Sequence, residues 1–241
     1  NTRLPGIAAE LVQLKVDALL GFGPQPVMAL KQATDTIPIV MAAASDPVRS
    51  GYVHSLGRPG GNITGQSFGG IELSGKRLEF LKQLIPGAAS TGVLWDPGAP
   101  LNWRATEAAG RTRGWKLLSL EVRDAGEIDE AFNAASHAGA GALFVHQQRV
   151  LELAANYRLP AMYELRSFVE AGGLMSYGAD VDDNWRQAAV YVYKILKGAK
   201  LGELSVQQPT KFELVIDLKT ARAMGIAIPR SVLLRADEVI Q

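Results

Sequence analysis

Cysteine is missing from all 241 residues. That excludes a disulfide framework, a thiolate nucleophile and cysteine-ligated zinc, and it suits an oxidising compartment. Excess charge is missing too: 25 basic residues face 24 acidic ones, and basic groupings such as Arg104, Arg111 and Arg113 are scattered. No electrostatic footprint for nucleic acid follows from so even a balance. No apolar run approaches the roughly 18 residues that a membrane-spanning helix requires. The three histidines, His54, His137 and His146, stand far apart without ligand spacing, so neither a metal nor another cofactor is expected. The opening Asn1-Thr2-Arg3-Leu4-Pro5 has neither a basic nor an apolar leader region, so a signal peptide is not read in this sequence.

What is present is an apolar fraction of 47% with 20% charged residues, in a length that holds two modest α/β lobes. Apolar residues spaced as on a helix predict helices over 4–14, 26–33, 47–56, 71–84, 105–112, 128–137, 150–157, 166–171 and 183–197. Between them, short apolar runs predict strands over 16–20, 37–43, 62–64, 91–95, 115–122, 142–145, 160–163, 173–177 and 214–216. Alternation of this kind requires crossover helices between parallel strands, and so an α/β fold of doubly wound parallel sheets. The Gly/Ser-rich stretch Gly60–Gly70, the turn Gly178-Ala179-Asp180 and the polar run Gln207–Phe212 interrupt the series. They divide the chain into a discontinuous first lobe, 1–66 and 180–208, and a second lobe, 67–179 and 209–241. Hinge crossings are expected near 66, 179 and 209.

Ligands in open parallel sheets bind beyond the carboxyl ends of the strands, and this locates the candidate contacts. In the first lobe these are Phe22, Gly23, Pro24 and Gln25, where a glycine turn opens a helix whose N–H groups suit a carboxylate. A tight turn with an N-terminal proline explains the same residues without a ligand. Ser45 and Asp46 follow the next strand, although Asp46 before Pro47 is also an ordinary helix cap. Ser67 and Phe68 lie at the first crossing. In the second lobe Trp95, Asp96, His146, Tyr163, Glu164 and Tyr177 end successive strands, and Tyr163 with Tyr177 could sandwich a planar ligand. Asp46, Asp96, Glu164 and Asp180 are the candidate partners for a ligand ammonium. Gly65-Gln66-Ser67-Phe68-Gly69 also has the Gly-x-Ser-x-Gly form of a hydrolase nucleophile elbow. Asp96 or Asp124 and His137 or His146 would complete its triad. The interposed Gly69-Gly70 and the lack of a glycine-rich oxyanion segment argue against it.

Several stretches carry a family resemblance: Ser45-Asp46-Pro47-Val48, Arg58-Pro59-Gly60-Gly61-Asn62-Ile63-Thr64-Gly65, Lys76-Arg77-Leu78-Glu79, Gly172-Gly173-Leu174-Met175-Ser176-Tyr177-Gly178 and Pro209-Thr210-Lys211-Phe212-Glu213-Leu214. In their order they resemble the ABC-transporter substrate-binding family, whose better-known members take up tryptophan and other aromatic amino acids. The resemblance implies a periplasmic-binding-protein fold of the first type and a periplasmic or lipid-anchored location. It also implies a monomer without catalysis that binds a small organic ligand, an amino acid or related carboxylate, between its lobes and delivers it to a membrane permease. Against the family pattern the chain lacks a strand, a helix and a second strand before Leu4, so the first lobe is expected to be truncated. It is also several residues shorter between Pro100 and Leu101 and between Gln147 and Arg149. The rival readings are the ligand-sensing core of a transcription regulator and a serine hydrolase using Ser67.

Overall fold

A computed structural model describes residues 3–69, 73–97, 100–145, 154 and 156–241. The chain forms two compact units, Asn1–Gly69 with Ala179–Lys211, and Gly70–Gly178 with Phe212–Gln241.

In the first unit three parallel strands, β1 (Leu19–Phe22), β2 (Ile39–Ala44) and β3 (Ile63–Ser67), lie in the order β1-β2-β3. The central strand, Ile-Val-Met-Ala-Ala-Ala, is buried at every position, as a strand covered on both faces must be. Helices α1 (Leu4–Gln13) and α2 (Pro24–Ala33) pack one face around Leu19, Ile39, Met41 and Ile63. The other face, through Val40 and Ala42, receives Ala188 and Tyr191 of a long helix, Val181–Leu196. Gly65 takes φ +125, and any Cβ there would overlap the Met41 carbonyl oxygen, so glycine alone lets β3 approach β2 this closely. A helix over 47–56 does not form. Asp46 is left-handed at φ 39 and Gly51 at φ 70, and the segment closes turns such as Ser50 N–H to Asp46 C=O at 2.9 Å. Its buried residues, Pro47, Tyr52 and Val53, lie five and one positions apart, not the three or four of a helical stripe.

The second unit is built on a seven-stranded sheet. In chain order its strands are β4 (Thr91–Trp95), β5 (Leu117–Glu121), β6 (Ala142–Val145), β7 (Ala161–Tyr163), β8 (Met175–Ala179), β9 (Phe212–Asp217) and β10 (Glu238–Ile240). They lie in the order β10-β9-β8-β7-β6-β4-β5. Side chains alternate between the faces with the strand period of two. Leu94, Leu143, Val145 and Tyr163 join Ile128, Phe132 and Ala135 on one face, whereas Val93, Phe144, Met162 and Met175 join Leu78, Leu81 and Leu84 on the other. The first group packs on helix α5 (Ile128–His137) and the second on α3 (Ser74–Leu84), which with α4 (Pro100–Thr112) and α6 (Arg166–Glu170) makes a doubly wound unit. The remaining α-helices among the described residues are α7 (Val181–Leu196), α8 (Leu218–Ala223) and α9 (Arg230–Leu233). One pairing departs from parallel order. Asp217 N–H bonds Leu174 C=O and Asp180 N–H bonds Lys211 C=O, so β9 runs antiparallel to β8 while β10 stays parallel to β9. No crossover helix has to return β9 to the end where β8 began, because the chain reaches it through the other unit.

Candidate functional site

At the carboxyl end of β1, Phe22 stacks on Trp185 of α7, with centroids 4.9 Å apart and planes 12° apart. Trp185 keeps 41% of its surface exposed. Helix α2 begins at Pro24 rather than Pro26, with Gly23 as a cap at φ 86 and ψ 166, a conformation essentially reserved for glycine. This placement corrects the expected anion cradle. Pro24 and Pro26 carry no N–H, so of the first three helical residues Gln25 alone has an amide proton. The Pro24 carbonyl accepts from the Tyr52 hydroxyl at 2.9 Å, and burial raises the pKa of that phenol. The close helix-strand packing lies at Gly21, where a Cβ would stand 2.9 Å from Val27 Cγ2.

After β2, Asp46 accepts from Arg49 N–H at 3.1 Å and pairs with Arg49 Nε at 3.4 Å, so it caps a turn rather than a helix. The Ser45 carbonyl accepts from Ser50 Oγ at 3.2 Å. Ser67 is the last residue of β3: its N–H donates to Gln207 C=O at 2.8 Å, and its buried Oγ has no hydrogen-bond partner among the described residues. Phe68 is buried beside it and bonds Ala44 C=O. The nucleophile-elbow reading fails on this geometry, because a serine paired along a strand does not stand on a strained strand-to-helix turn. Two of its four proposed partners are engaged locally, Asp124 with Gly126 N–H at 2.8 Å and His137 Nδ1 with Asn133 C=O at 2.8 Å.

In the second unit Trp95 ends β4 with Nε1 donating to Ser119 Oγ at 2.9 Å and its ring stacked on Trp103 at 5.8 Å. Asp96 follows it, half-buried. His146 lies outside the described residues, as do the 147–149 junction and most of the helix expected over 150–157. Pro100 and Leu101 open α4. The expected aromatic sandwich is not formed. Met162 pairs with Met175 and Tyr163 with Ser176, so Tyr163 and Tyr177 face opposite sides of the sheet. Tyr163 is 1% exposed and stacks on Phe168 at 5.1 Å, a core residue whose hydroxyl pKa is raised by burial. Tyr177 is half-buried against Phe80 and Phe212, and burial raises its pKa as well.

Two features escaped the sequence reading. Arg77 on α3 is 0% exposed and donates from Nη1 to Glu164 Oε1 at 2.7 Å and from Nε to Tyr177 C=O at 2.6 Å. Its spacing to Phe80, Leu81 and Leu84 places it on the apolar stripe of α3, but its charge masks that position in the sequence, and the contact spans 87 residues. Asn184 on α7 is buried, with Nδ2 unpartnered among the described residues, beside the exposed Trp185. Asp180 caps α7 through Asp183 N–H at 3.0 Å and holds Lys211 Nζ at 2.7 Å, contacts that lower its pKa. Among the described residues no group of three or more metal-ligating side chains occurs, and no helix is long and apolar enough to cross a membrane.

The chain can be set beside known proteins at this point. A conserved domain protein from Vibrio cholerae shares 31% identity with TM-score 0.91, covering 99% of this chain and 83% of that one. An ABC domain from Streptococcus pneumoniae, solved in complex with L-Trp, shares 26% identity with TM-score 0.91, covering 99% of this chain and 84% of that one. A tyrosine-binding protein of Clostridioides difficile is 25% identical over 231 residues, which are 91% of this chain and 66% of that protein. The chain thus spans just under two thirds of that relative's length. The family model for ABC transporter substrate binding proteins matches residues 2–240. The chain belongs to the ABC transporter substrate-binding protein family.

Proposed function

We propose that the chain is the extracytoplasmic solute-binding component of an ABC importer and that its ligand is an amino acid, with an aromatic side chain preferred. The family match over nearly the whole length carries the first part. The second part draws support from the solved relative that holds L-Trp and from the relative named for tyrosine. Ligand contacts in this reading come from the strand ends of each unit: Phe22 through Gln25, Ser45, Asp46, Ser67 and Phe68 in one, and Trp95, Asp96, Glu164 and Tyr177 in the other. The exposed ring of Trp185, backed by Phe22, adds an aromatic surface of the kind that stacks on a planar ligand. The three chain crossings serve as a hinge, and ligand shifts an open-closed equilibrium that a membrane permease reads in the closed state. The protein acts as a monomer outside the inner membrane.

A thermal-shift series over the twenty amino acids and small aromatic acids tests this reading. A ligand at 100 times its dissociation constant adds about 2.7 kcal/mol to stability, so a true ligand raises Tm clearly. Tyrosine, tryptophan or phenylalanine is expected to give the largest rise. Absence of a shift with every amino acid would falsify the amino-acid assignment.

A further inference from the structure

The Arg77–Glu164 pair calls for an explanation that stability does not supply. Moving both ions out of water costs several kcal/mol each, and a well-packed apolar pair would join α3 to β7 equally well. The guanidinium is nevertheless wholly buried, over the Phe144 ring at 5.8 Å, while 17% of the Glu164 side chain remains accessible. Glu164 directly follows β7, at the strand end where ligands of open α/β sheets bind. By bonding Tyr177 C=O as well, Arg77 fixes the ends of β7 and β8 relative to each other. Their separation is small enough that a Cβ on Gly178 would overlap the Glu164 carbonyl oxygen.

Among the acids expected to meet an ammonium, Asp46 is engaged by Arg49, and Asp180 by Asp183 N–H and Lys211, whereas Glu164 is held by an arginine that solvent does not reach. A carboxylate offers about four lone-pair sites, so an ion pair with one guanidinium does not by itself exclude a second cation. The ion pair to a buried guanidinium holds the carboxylate in one orientation. We propose that Arg77 is a positioning residue that presents the Glu164 carboxylate to the α-ammonium group of an amino-acid ligand. The inference rests on the amino-acid reading above and assigns its charged contact.

Calorimetric titration with two pairs of probes separates the possibilities: L-tyrosine against 3-(4-hydroxyphenyl)propionate, and L-tryptophan against indole-3-propionate. Each acid keeps the ring and carboxylate but lacks the ammonium. Glu164→Gln and Arg77→Met are expected to weaken the amino acid about tenfold or more, while the deaminated acid changes less than about threefold. Arg77→Lys should fall between, because a point charge cannot hold both oxygen acceptors in a fork. The double variant Arg77→Met with Glu164→Gln should discriminate no worse than Glu164→Gln alone, as expected when one residue acts through the other. Equal weakening of both ligands, or of neither, overturns the proposal and leaves a purely structural pair. Where Arg77→Met does not fold, Glu164→Gln and Arg77→Lys decide the matter. A wild-type protein that binds the acids as tightly as the amino acids overturns this inference alone. One that binds neither removes the amino-acid reading and this inference with it.

Discussion

Asp180 shows how far one carboxylate at a chain crossing is committed. The hydrogen bond from Lys211 and the cap on Asp183 N–H both favour its charged form, so its pKa falls below the ordinary aspartate range. A depressed carboxyl pKa stabilises the folded state above the unfolded pKa, and that contribution disappears as pH falls through the lower folded value. Stability should therefore drop as pH falls below the ordinary aspartate pKa of about 4, and Asp180→Asn should flatten that part of the curve. Urea midpoints measured across this range check it; identical acid limbs for the two proteins would refute it. Single residues were also where the sequence was least legible. Reading β8 as ending at Tyr177 instead of Ala179 hides which face that tyrosine takes, because facing depends on register with β7, and register is a tertiary property. Arg77 was hidden for a different reason: nothing local to α3 announces a carboxylate 87 residues away.

Elements held by strong local signals were read closely. The strands Thr91–Trp95 and Ala142–Val145 and the helix Ile128–His137 have the bounds that their apolar spacing predicts. The failed helix over 47–56 and the early start of α2 both involve proline and glycine, whose local signals permit a turn and a helix start alike. A cap overlooked in the sequence governs another element. Asp217 ends β9 and accepts from Lys219 N–H at 2.7 Å and Thr220 N–H at 3.0 Å, closing the first turn of α8. Asp217→Ala should cost about 1 to 2 kcal/mol, at the upper end for a cap because the residue is buried. Chemical denaturation measures the loss, and a change below about 0.3 kcal/mol would show the cap to be replaceable by water.

For the molecule as a whole, the two units are unequal. One rests on three strands whose outermost member, β1, exposes 44% of Leu20, and the other rests on seven strands with an apolar cluster on each face. Local opening follows the number of buried contacts, so amides of β1 and β3 should exchange at lower free energy than those of β4 and β6. Native-state hydrogen exchange resolved by peptide tests this directly, and uniform protection across both sheets would contradict it. Alternating elements and glycine-rich breaks foretold sheets wound on both faces, but not the antiparallel β9. That reversal is visible only when strand partners are known.

The interleaving of the two units has a consequence for how the protein is made. The first unit cannot close until residues up to Lys211 are available, and the second cannot complete its sheet until β10 at Glu238–Ile240 has been synthesised. Neither unit closes on one continuous stretch of chain, so each core waits for residues synthesised after the other unit has begun. A chain in that condition can still be threaded through a secretion channel and fold on the far side.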